Sequence, residues 1–210
     1  MISGLEQATT GHVEFRGTQV QKPNADIGMV FQEYSLFPWL QVIDNVATGP
    51  EFAGLKKDKR LDIAAHYLEV VGMSEFARAY PHELSGGMRQ RVAIARAFAN
   101  DPEILLMDEP FGSLDAHTRV LLQKELLRIW ESNRKTVLFV THSVDEAVYL
   151  ADRVVIISAR PGRIGEILNV DMPRPRSRAN PAFGRLTDHI LKRLEKEVMG
   201  NSVASVPPAI

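Results

Sequence analysis

Two short segments of this chain carry residues whose types and spacing could perform phosphate chemistry. One runs from Leu84 to Arg91 and reads LSGGMRQR, and the other is Asp108-Glu109-Pro110. Asp108 and Glu109 end an apolar run, where one carboxylate can hold Mg²⁺ through water and a second can orient or deprotonate an attacking water. Taken alone, these acids fit an ordinary solvated strand end, but the two segments together favour a site for nucleotide hydrolysis.

The Ser85-Gly86-Gly87 turn precedes a strongly helical segment, Met88 to Ala99. Two glycines let a ligand approach the backbone closely. The free N–H groups and the positive end of the helix favour a phosphate at this position. On its own, Ser-Gly-Gly fits a plain helix N-cap equally well.

The two segments together resemble the signature and Walker B motifs of the ABC transporter ATPases. The resemblance covers at least residues 2–175. It implies that Ser85 and Gly87, with Gly86 between them, meet the γ-phosphate of an ATP held by a second cassette. It also implies that Glu109 is the catalytic base and that Asp108 is the carboxylate on the magnesium side.

Three further residues acquire roles from the same resemblance. Gln32 matches the Q-loop glutamine, which would sense Mg²⁺ and water together with Asp108. His142 matches the switch histidine that hydrogen-bonds the γ-phosphate, and Asp115, in Ser113-Leu114-Asp115, matches the D-loop aspartate that communicates across the dimer. Without the resemblance, a lone Gln after a strand is a polar loop residue, and a histidine at a strand end is more often structural.

The 210 residues contain no G-x-x-x-x-G-K-[ST] phosphate loop. By resemblance, Met1 falls near the end of the helix that follows this Walker A loop. We therefore expect the chain to be truncated, without the loop, most of its helix, the central strand before it and the earlier edge strands. Two consequences are expected: weak ATP affinity, and an uncovered sheet face that makes the isolated chain unstable or aggregation-prone.

Composition limits the classes of partner and compartment. The net charge of −1 gives no bulk attraction to nucleic acid, so no nucleic-acid partner is expected. The absence of cysteine excludes disulfides and suits a reducing compartment. No apolar stretch approaches the roughly 18 residues that span a bilayer, and the first residues lack a signal-peptide layout. We expect a cytoplasmic protein, peripheral on the inner face of the cell membrane through an integral partner.

Hydrophobic periodicity predicts an α/β fold with a parallel sheet flanked by helices. The resemblance narrows this to an ABC-type P-loop NTPase cassette with a helical subdomain at about residues 40–95. We expect a partial ATPase domain over 1–175 and a C-terminal connector, helix and frayed tail over 176–210. Pro173, Pro175 and Pro181 indicate a loose connector, and residues 201–210 are the part expected to fray.

The predicted strands are 11–15, 27–31, 104–107, 137–140 and 154–157, with a turn at Arg160-Pro161-Gly162. The predicted helices are 61–72, 116–131, one opening with a capping box at Ser143-Val144-Asp145-Glu146, and 184–198. In helix 61–72 the pattern places on one inward face Ile63, Ala64, Tyr67, Val70 and Val71.

Weaker signals place the chain near one type of importer. Leu36-Phe37-Pro38-Trp39-Leu40, Asp44-Asn45-Val46, and the strings at 158–164 and 173–176 resemble importers of nitrate, sulfonates and taurine. This resemblance implies integral-membrane permease subunits and a second cassette in a homodimer as partners, with a solute-binding protein acting indirectly. The aromatic loop beside Gln32 either packs on itself or forms a socket for a membrane-domain helix.

Three functions follow from these residues. The first is the ATP-binding and ATP-hydrolysing subunit of an importer for a small solute. The second is a non-catalytic cassette that contributes only its signature face to a partner ATPase, which an ATPase assay with and without an intact cassette separates from the first. The third, a soluble ABC protein of DNA repair or translation, is disfavoured because no long heptad insert separates Gln32 from Ser85.

Overall fold

The computed structural model describes residues 1–112, 114–159 and 161–203. Within them the chain divides into two units, Met1–Val140 and Thr141–Ile210. The domain boundary at 175/176 remains a prediction from the sequence.

A three-stranded parallel sheet organises the first unit. Its strand order is β3 (Ile27–Val30), β4 (Ile104–Asp108) and β5 (Thr136–Val140). The register pairs Ile27 with Ile104 and Ile104 with Thr136, so the carboxyl ends of all three strands lie at one edge. β4 is buried along its apolar centre because it is covered on both faces, as the predicted apolar run 104–107 indicates.

Three helices form the predicted helical subdomain of this unit: α1 (Val42–Phe52), α2 (Lys57–Val70) and α3 (Gly86–Ala99). They pack on one another around side chains with no exposed surface. The short 3₁₀ segments Ser74–Phe76 and Pro81–Glu83 connect α2 to α3. The fully buried apolar residues of these helices are Val42, Val46, Ala64, Leu68, Val92 and Ala95.

The predicted helix 61–72 differs from α2 at both ends. α2 begins at Lys57, and it ends at Val70 because Gly72 adopts the left-handed conformation, with φ of 66°. The inward face of α2 is centred on Ala64 and Leu68, whereas the sequence pattern placed Ile63 and Tyr67 there and missed Leu68.

The remaining elements of the first unit are a short hairpin and a long helix. The predicted strand 11–15 shrinks to the two-residue β1 (Glu14–Phe15), which pairs with β2 (Thr18–Gln19) in an antiparallel hairpin. The predicted helix 116–131 is confirmed as α4 (Ala116–Asn133), and it buries Leu122, Leu126 and Ile129.

The second unit contains a hairpin where the sequence pattern favoured a parallel strand. β6 (Arg153–Ile157) pairs antiparallel with β7 (Ile164–Asn169), so placing Val154–Ile157 in the parallel sheet was wrong. The turn returns the chain directly, because the Ser158 N–H donates to the Arg163 carbonyl and the Ser158 hydroxyl donates to the Pro161 carbonyl. Arg160, expected in this turn, lies outside the described residues.

Two helices complete the second unit, α5 (Val144–Leu150) and α6 (Pro181–Val203). α6 contains the predicted helix 184–198 and extends it at both ends. Residues 204–210 of the predicted frayed tail 201–210 lie outside the described residues. Among the described residues, no helix is both long enough and apolar enough to cross a bilayer.

The segment between β7 and α6 is more ordered than its prolines indicated. The side chain of Arg176 is only 2% exposed, and its guanidinium donates to five backbone carbonyls. Three of these carbonyls lie at or just after the end of α5, where a cation is favourable. The prediction of a loose connector was therefore wrong. The acceptors are the carbonyls of Val148, Tyr149, Ala151, Val170 and Met172.

Each unit also exposes large apolar side chains on a strand. Leu138 and Val140 project from the edge strand β5 with 44% and 50% exposure. In the hairpin of the second unit, Ile157 and Ile164 are 62% and 67% exposed. The expected uncovered sheet face and the expected instability of the isolated chain both remain predictions from the sequence.

Replacing Arg176 with methionine keeps most of the side-chain length and removes the guanidinium from five carbonyls, of which that of Val170 keeps the Met172 N–H as a donor. We expect a local destabilisation of about 3 kcal/mol, because buried acceptors without donors are costly. The amides of Val144–Leu150 should then exchange with deuterium roughly a hundredfold faster. Arg185→Met on the exposed face of α6 is the control, and equal exchange in the two variants would contradict the assignment.

Candidate functional site

The acids at the end of β4 are held in an unusual backbone conformation. Asp108 is the last residue of the strand, and Glu109 follows with φ of 45°, in the left-handed region. The Glu109 N–H donates to the Val140 carbonyl at 2.9 Å, and its own carbonyl accepts from Gly112 at 3.1 Å. A non-glycine residue held in this region is typical of functional sites. Both carboxylates are half-buried.

An apolar anchor follows these acids. Phe111 has no exposed surface and lies 5.6 Å from the Phe139 ring, measured between centroids. Because Phe139 belongs to β5, this contact fixes the turn after Glu109 against the sheet. Leu114, further along the same loop, is also buried.

Asp115 begins α4 as its N-cap. Its carboxylate accepts the Thr118 N–H at 2.9 Å, and the hydrogen bonds from Thr118 hold the pKa of Asp115 below its ordinary value. The side chain is exposed. Asp115 therefore has a structural role in addition to the predicted role across a dimer. Ser113, predicted beside it, lies outside the described residues.

The signature turn opens α3 as the sequence indicated. The Ser85 hydroxyl oxygen accepts the Met88 N–H at 3.3 Å, and the helix then runs from Gly86 to Ala99. Ser85 is exposed, and the two glycines are half-buried. The first N–H groups of a 14-residue helix therefore begin at an accessible surface, where they can meet an anion.

The two signature glycines are also constrained by packing, which sequence reasoning missed. A Cβ at Gly86 would lie 3.0 Å from the Tyr34 hydroxyl oxygen, and a Cβ at Gly87 would lie 3.1 Å from Cδ2 of Leu114. Both distances are shorter than ordinary van der Waals contacts. Neither neighbour is close in sequence, so no local pattern signals these contacts.

Gln32 lies just beyond the end of β3, on an exposed segment. β3 and β4 pair in parallel with Val30 opposite Met107, so the backbone of Gln32 leaves the same sheet edge as Asp108 and Glu109. An open cleft of 460 Å³ adjoins this segment. Its lining includes Gln32, Glu33, Tyr34, Pro81 and Arg89.

The first unit therefore brings together most of the predicted site. Strand register places Gln32, Asp108 and Glu109 at one edge of the sheet. The contact of Gly86 with Tyr34 places the signature turn beside the loop that follows Gln32.

His142 belongs to the second unit, and it is exposed two residues after the end of β5. Its neighbours form a small hydrogen-bonded network. The Thr141 hydroxyl donates to the Glu146 carboxylate at 2.6 Å and accepts the Ser143 N–H at 3.0 Å. The Ser143 hydroxyl oxygen accepts the Glu146 N–H at 3.4 Å. Ser143 is thus the predicted N-cap of α5, but the expected second half of the capping box is replaced by the Thr141 hydroxyl.

The donor set suits magnesium bound together with a nucleotide. The described residues contain no group of three or more His, Cys, Asp or Glu side chains that could form a metal cage. Magnesium is usually held by one or two carboxylates together with substrate phosphates and water. Asp108 and Gln32 supply oxygen atoms of this kind at one sheet edge.

Comparison with known protein families identifies the class of this site. The family model described as ABC transporter matches residues 1–112. The chain belongs to the ABC transporter ATP-binding family. Members of this family are ATPases.

Solved structures confirm the predicted cassette fold. The structure described as a dimeric post-hydrolysis state of the ATP-binding cassette MJ0796 bound to ADP and phosphate superposes with a TM-score of 0.72 at 32% identity. The match covers 80% of this chain and 77% of that one.

Curated relatives support the same family. The chain is 55% identical to the uncharacterized ABC transporter ATP-binding protein MJ0412 of Methanocaldococcus jannaschii, over 95% of this chain and 74% of that protein. It is 48% identical to the taurine import ATP-binding protein TauB of Rhizobium johnstonii, over 90% and 75%. It is 46% identical to the nitrate import ATP-binding protein NrtD of a Synechocystis strain, over 90% and 75%.

The lowered pKa of Asp115 predicts a pH-dependent contribution to stability. A carboxylate whose pKa is depressed in the folded state stabilises the fold above its unfolded pKa, near 3.8. This contribution is lost as the pH falls through the folded value. Asp115→Asn keeps an N-cap acceptor and removes only the charge. We expect urea unfolding to show the variant less stable than the parent at neutral pH, with the two converging in acid. A difference that persists unchanged below pH 3.8 would contradict this assignment.

Proposed function

We propose that this chain is the ATP-binding and ATP-hydrolysing subunit of an ABC importer for a small solute such as nitrate, a sulfonate or taurine. The observation that carries the proposal is the meeting of three features in one unit. These are the acids at the end of β4, Gln32 beyond the end of β3, and the signature turn that opens α3. The import proteins named among the relatives support the solute class. In this proposal residues 1–175 form the partial ATPase domain.

Glu109 has the position of a general base. Its half-buried carboxylate follows the central strand, and the left-handed backbone turn directs the chain away from β4. A carboxylate held at this place can orient a water molecule and accept its proton as the water attacks the γ-phosphate. Bound Mg²⁺ would neutralise charge on the phosphates, and Asp108 and Gln32 are the residues that would hold it, partly through water.

The signature turn has the chemistry to recognise a phosphate from outside its own cassette. Ser85 is exposed, and the N–H groups of the following turn lack acceptors within the helix. We assign Ser85, Gly86 and Gly87 to the γ-phosphate of an ATP carried by a second cassette in a homodimer, with Asp115 communicating across the interface. His142 is assigned as a hydrogen-bond donor to the γ-phosphate of the ATP that its own cassette binds.

Partners and location follow from the importer assignment. We place the chain in the cytoplasm, on the inner face of the cell membrane, bound to integral-membrane permease subunits and acting indirectly with a solute-binding protein. Exposed aromatic side chains support a docking surface: Trp39 and Phe52 are 71% and 84% exposed. Trp39 lies in the loop that follows Gln32, and its ring is 5.5 Å from that of Phe37.

A second candidate function is a non-catalytic cassette that lends its signature face to a partner ATPase. The observation that favours it is the accessible Ser85-Gly86-Gly87 turn at the start of α3. This turn has the chemistry to contact an ATP held by another cassette whether or not the chain itself hydrolyses ATP.

Two ATPase assays separate the candidates. The first measures phosphate release by the purified chain alone at saturating ATP and Mg²⁺, because weak affinity is expected. The second uses an intact cassette of the same family whose own signature serine has been replaced, so that its homodimer is inactive. If the added chain restores ATP turnover and Ser85→Ala abolishes that restoration, the Ser85–Gly87 turn of the chain acts on the ATP of the intact cassette. The non-catalytic candidate predicts restoration in the second assay and no turnover in the first.

The importer proposal predicts turnover by the chain that depends on Glu109. Removing the general base with Glu109→Gln should lower phosphate release by about 100-fold or more. Glu131→Gln, an exposed change on α4, is the matched control. Turnover that survives Glu109→Gln would overturn the role of Glu109, and a purified chain without turnover would favour the non-catalytic candidate.

A further inference from the structure

Two arginine side chains on one face of α3 contact the loop that follows Gln32. Arg89 and Arg96 are seven residues apart, which is close to two helical turns, so they project from the same side of the helix. Ala93 lies between them and is buried. Both guanidinium groups contact the segment 34–37.

Arg96 fixes the backbone of this segment. Its guanidinium donates to the Ser35 carbonyl at 2.7 Å and to the Tyr34 carbonyl at 3.3 Å. It also lies 5.7 Å from the centre of the Phe37 ring. Ser35 adopts a left-handed conformation, with φ of 48°, which a serine keeps only when its surroundings hold it there. Arg96 therefore holds the backbone of this turn in place.

Arg89 fixes the side chain of Tyr34. The guanidinium lies 5.2 Å from the centre of the Tyr34 ring, within the range of a cation–π contact. It also donates to the Leu84 carbonyl at 2.6 Å, immediately before the signature turn. The Tyr34 ring is thus held by a side chain of α3, and it lies against Gly86, the first residue of the same helix.

Tyr34 abuts Gly86 directly. Its hydroxyl oxygen lies 3.0 Å from the position of a Cβ built on Gly86, and its Cζ lies 3.9 Å away. Within the part of the chain that the structure describes, and apart from the neighbouring residues and the helix backbone, no other heavy atom comes within 4 Å of that position. Gly86 therefore leaves the space that the Tyr34 hydroxyl needs.

We infer that Tyr34 is a positioning residue for the signature turn, setting Ser85–Gly87 relative to the loop that follows Gln32. The inference rests on the proposed role of this turn in binding the γ-phosphate of a second cassette. A methyl group at Gly86 would meet the Tyr34 hydroxyl, so the ring or the turn must shift by a few tenths of an ångström. Arg89 opposes movement of the ring, so the shift falls in part on the turn. A displaced turn would no longer present Ser85 and its N–H groups to the phosphate.

A double-mutant cycle tests this inference in the assay with the signature-defective intact cassette. Gly86→Ala should lower the restored ATP turnover by about tenfold. In the presence of Tyr34→Phe, which removes the hydroxyl that the methyl group meets, the same change should cost less than about threefold. An equal cost of Gly86→Ala with and without Tyr34→Phe would overturn the inference, because the glycine would then be required for ligand approach alone.

Gly87→Ala provides the matched control. Its methyl group would meet Leu114 at 3.1 Å and not Tyr34, so Tyr34→Phe should leave its cost unchanged. Rescue of both glycine variants by Tyr34→Phe would contradict a specific contact. Size-exclusion chromatography of each variant with the intact cassette measures the amount of folded complex, and turnover is expressed per complex, so loss of folded protein is separated from mispositioning.

The assay distinguishes failure of this inference from failure of the proposed role. If the parent chain restores no turnover to the signature-defective cassette, the proposed role of Ser85–Gly87 fails. If the parent chain restores turnover but the cycle shows no coupling, that role stands and the positioning role of Tyr34 is rejected.

Discussion

The site depends on the pairing of β4 with a parallel strand on each side. β3 and β5 fix β4 along its length, and its buried centre leaves only the end of the strand accessible. Parallel pairing places all the carboxyl ends at one edge. Asp108 and Glu109 at the end of β4, and Gln32 beyond the end of β3, therefore reach the same edge through strand pairing.

α3 carries the second part of the candidate site. Its N-terminus presents Ser85 and two glycines, while one side of the helix holds the loop that follows Gln32. The helix thus presents the N–H groups that we assign to phosphate binding and also supports a neighbouring loop. Arg96 and Tyr34 are side chains that join this loop to α3.

Sequence patterns predicted the elements that carry strong local signals. β4 followed from a short run that is apolar throughout, and α3 from a serine cap and a helical segment. The placement of β6 was wrong because a short apolar run does not distinguish a parallel from an antiparallel strand. The order of the connector before α6 was not predicted, because its prolines indicated a loose segment. Three of the five carbonyls that accept hydrogen bonds from Arg176 lie more than 20 residues earlier in the chain.

Parts of the candidate site were similarly beyond local sequence reasoning. The motif spacing selected Ser85, Asp108 and Glu109 as candidates. It did not indicate that Glu109 is left-handed or that its N–H donates to the Val140 carbonyl. The contact between Tyr34 and Gly86 joins residues that are far apart in the chain. Such features arise from tertiary packing, so the hydrophobic periodicity of the sequence does not predict them.

The central claim is that the start of α3 meets ATP held by a second cassette, and an ATP-dependent disulfide tests it most directly. The chain has no cysteine, so Met88→Cys introduces a single thiol in the first turn of α3 and leaves Ser85–Gly87 intact. A second thiol is placed beside the phosphate loop of a hydrolysis-blocked intact cassette without other cysteines. A disulfide requires the two Cα atoms to approach within about 7 Å. The account predicts cross-linking with ATP and Mg²⁺ and little without nucleotide. The absence of cross-linking with ATP, or an equal yield in its absence, would contradict it.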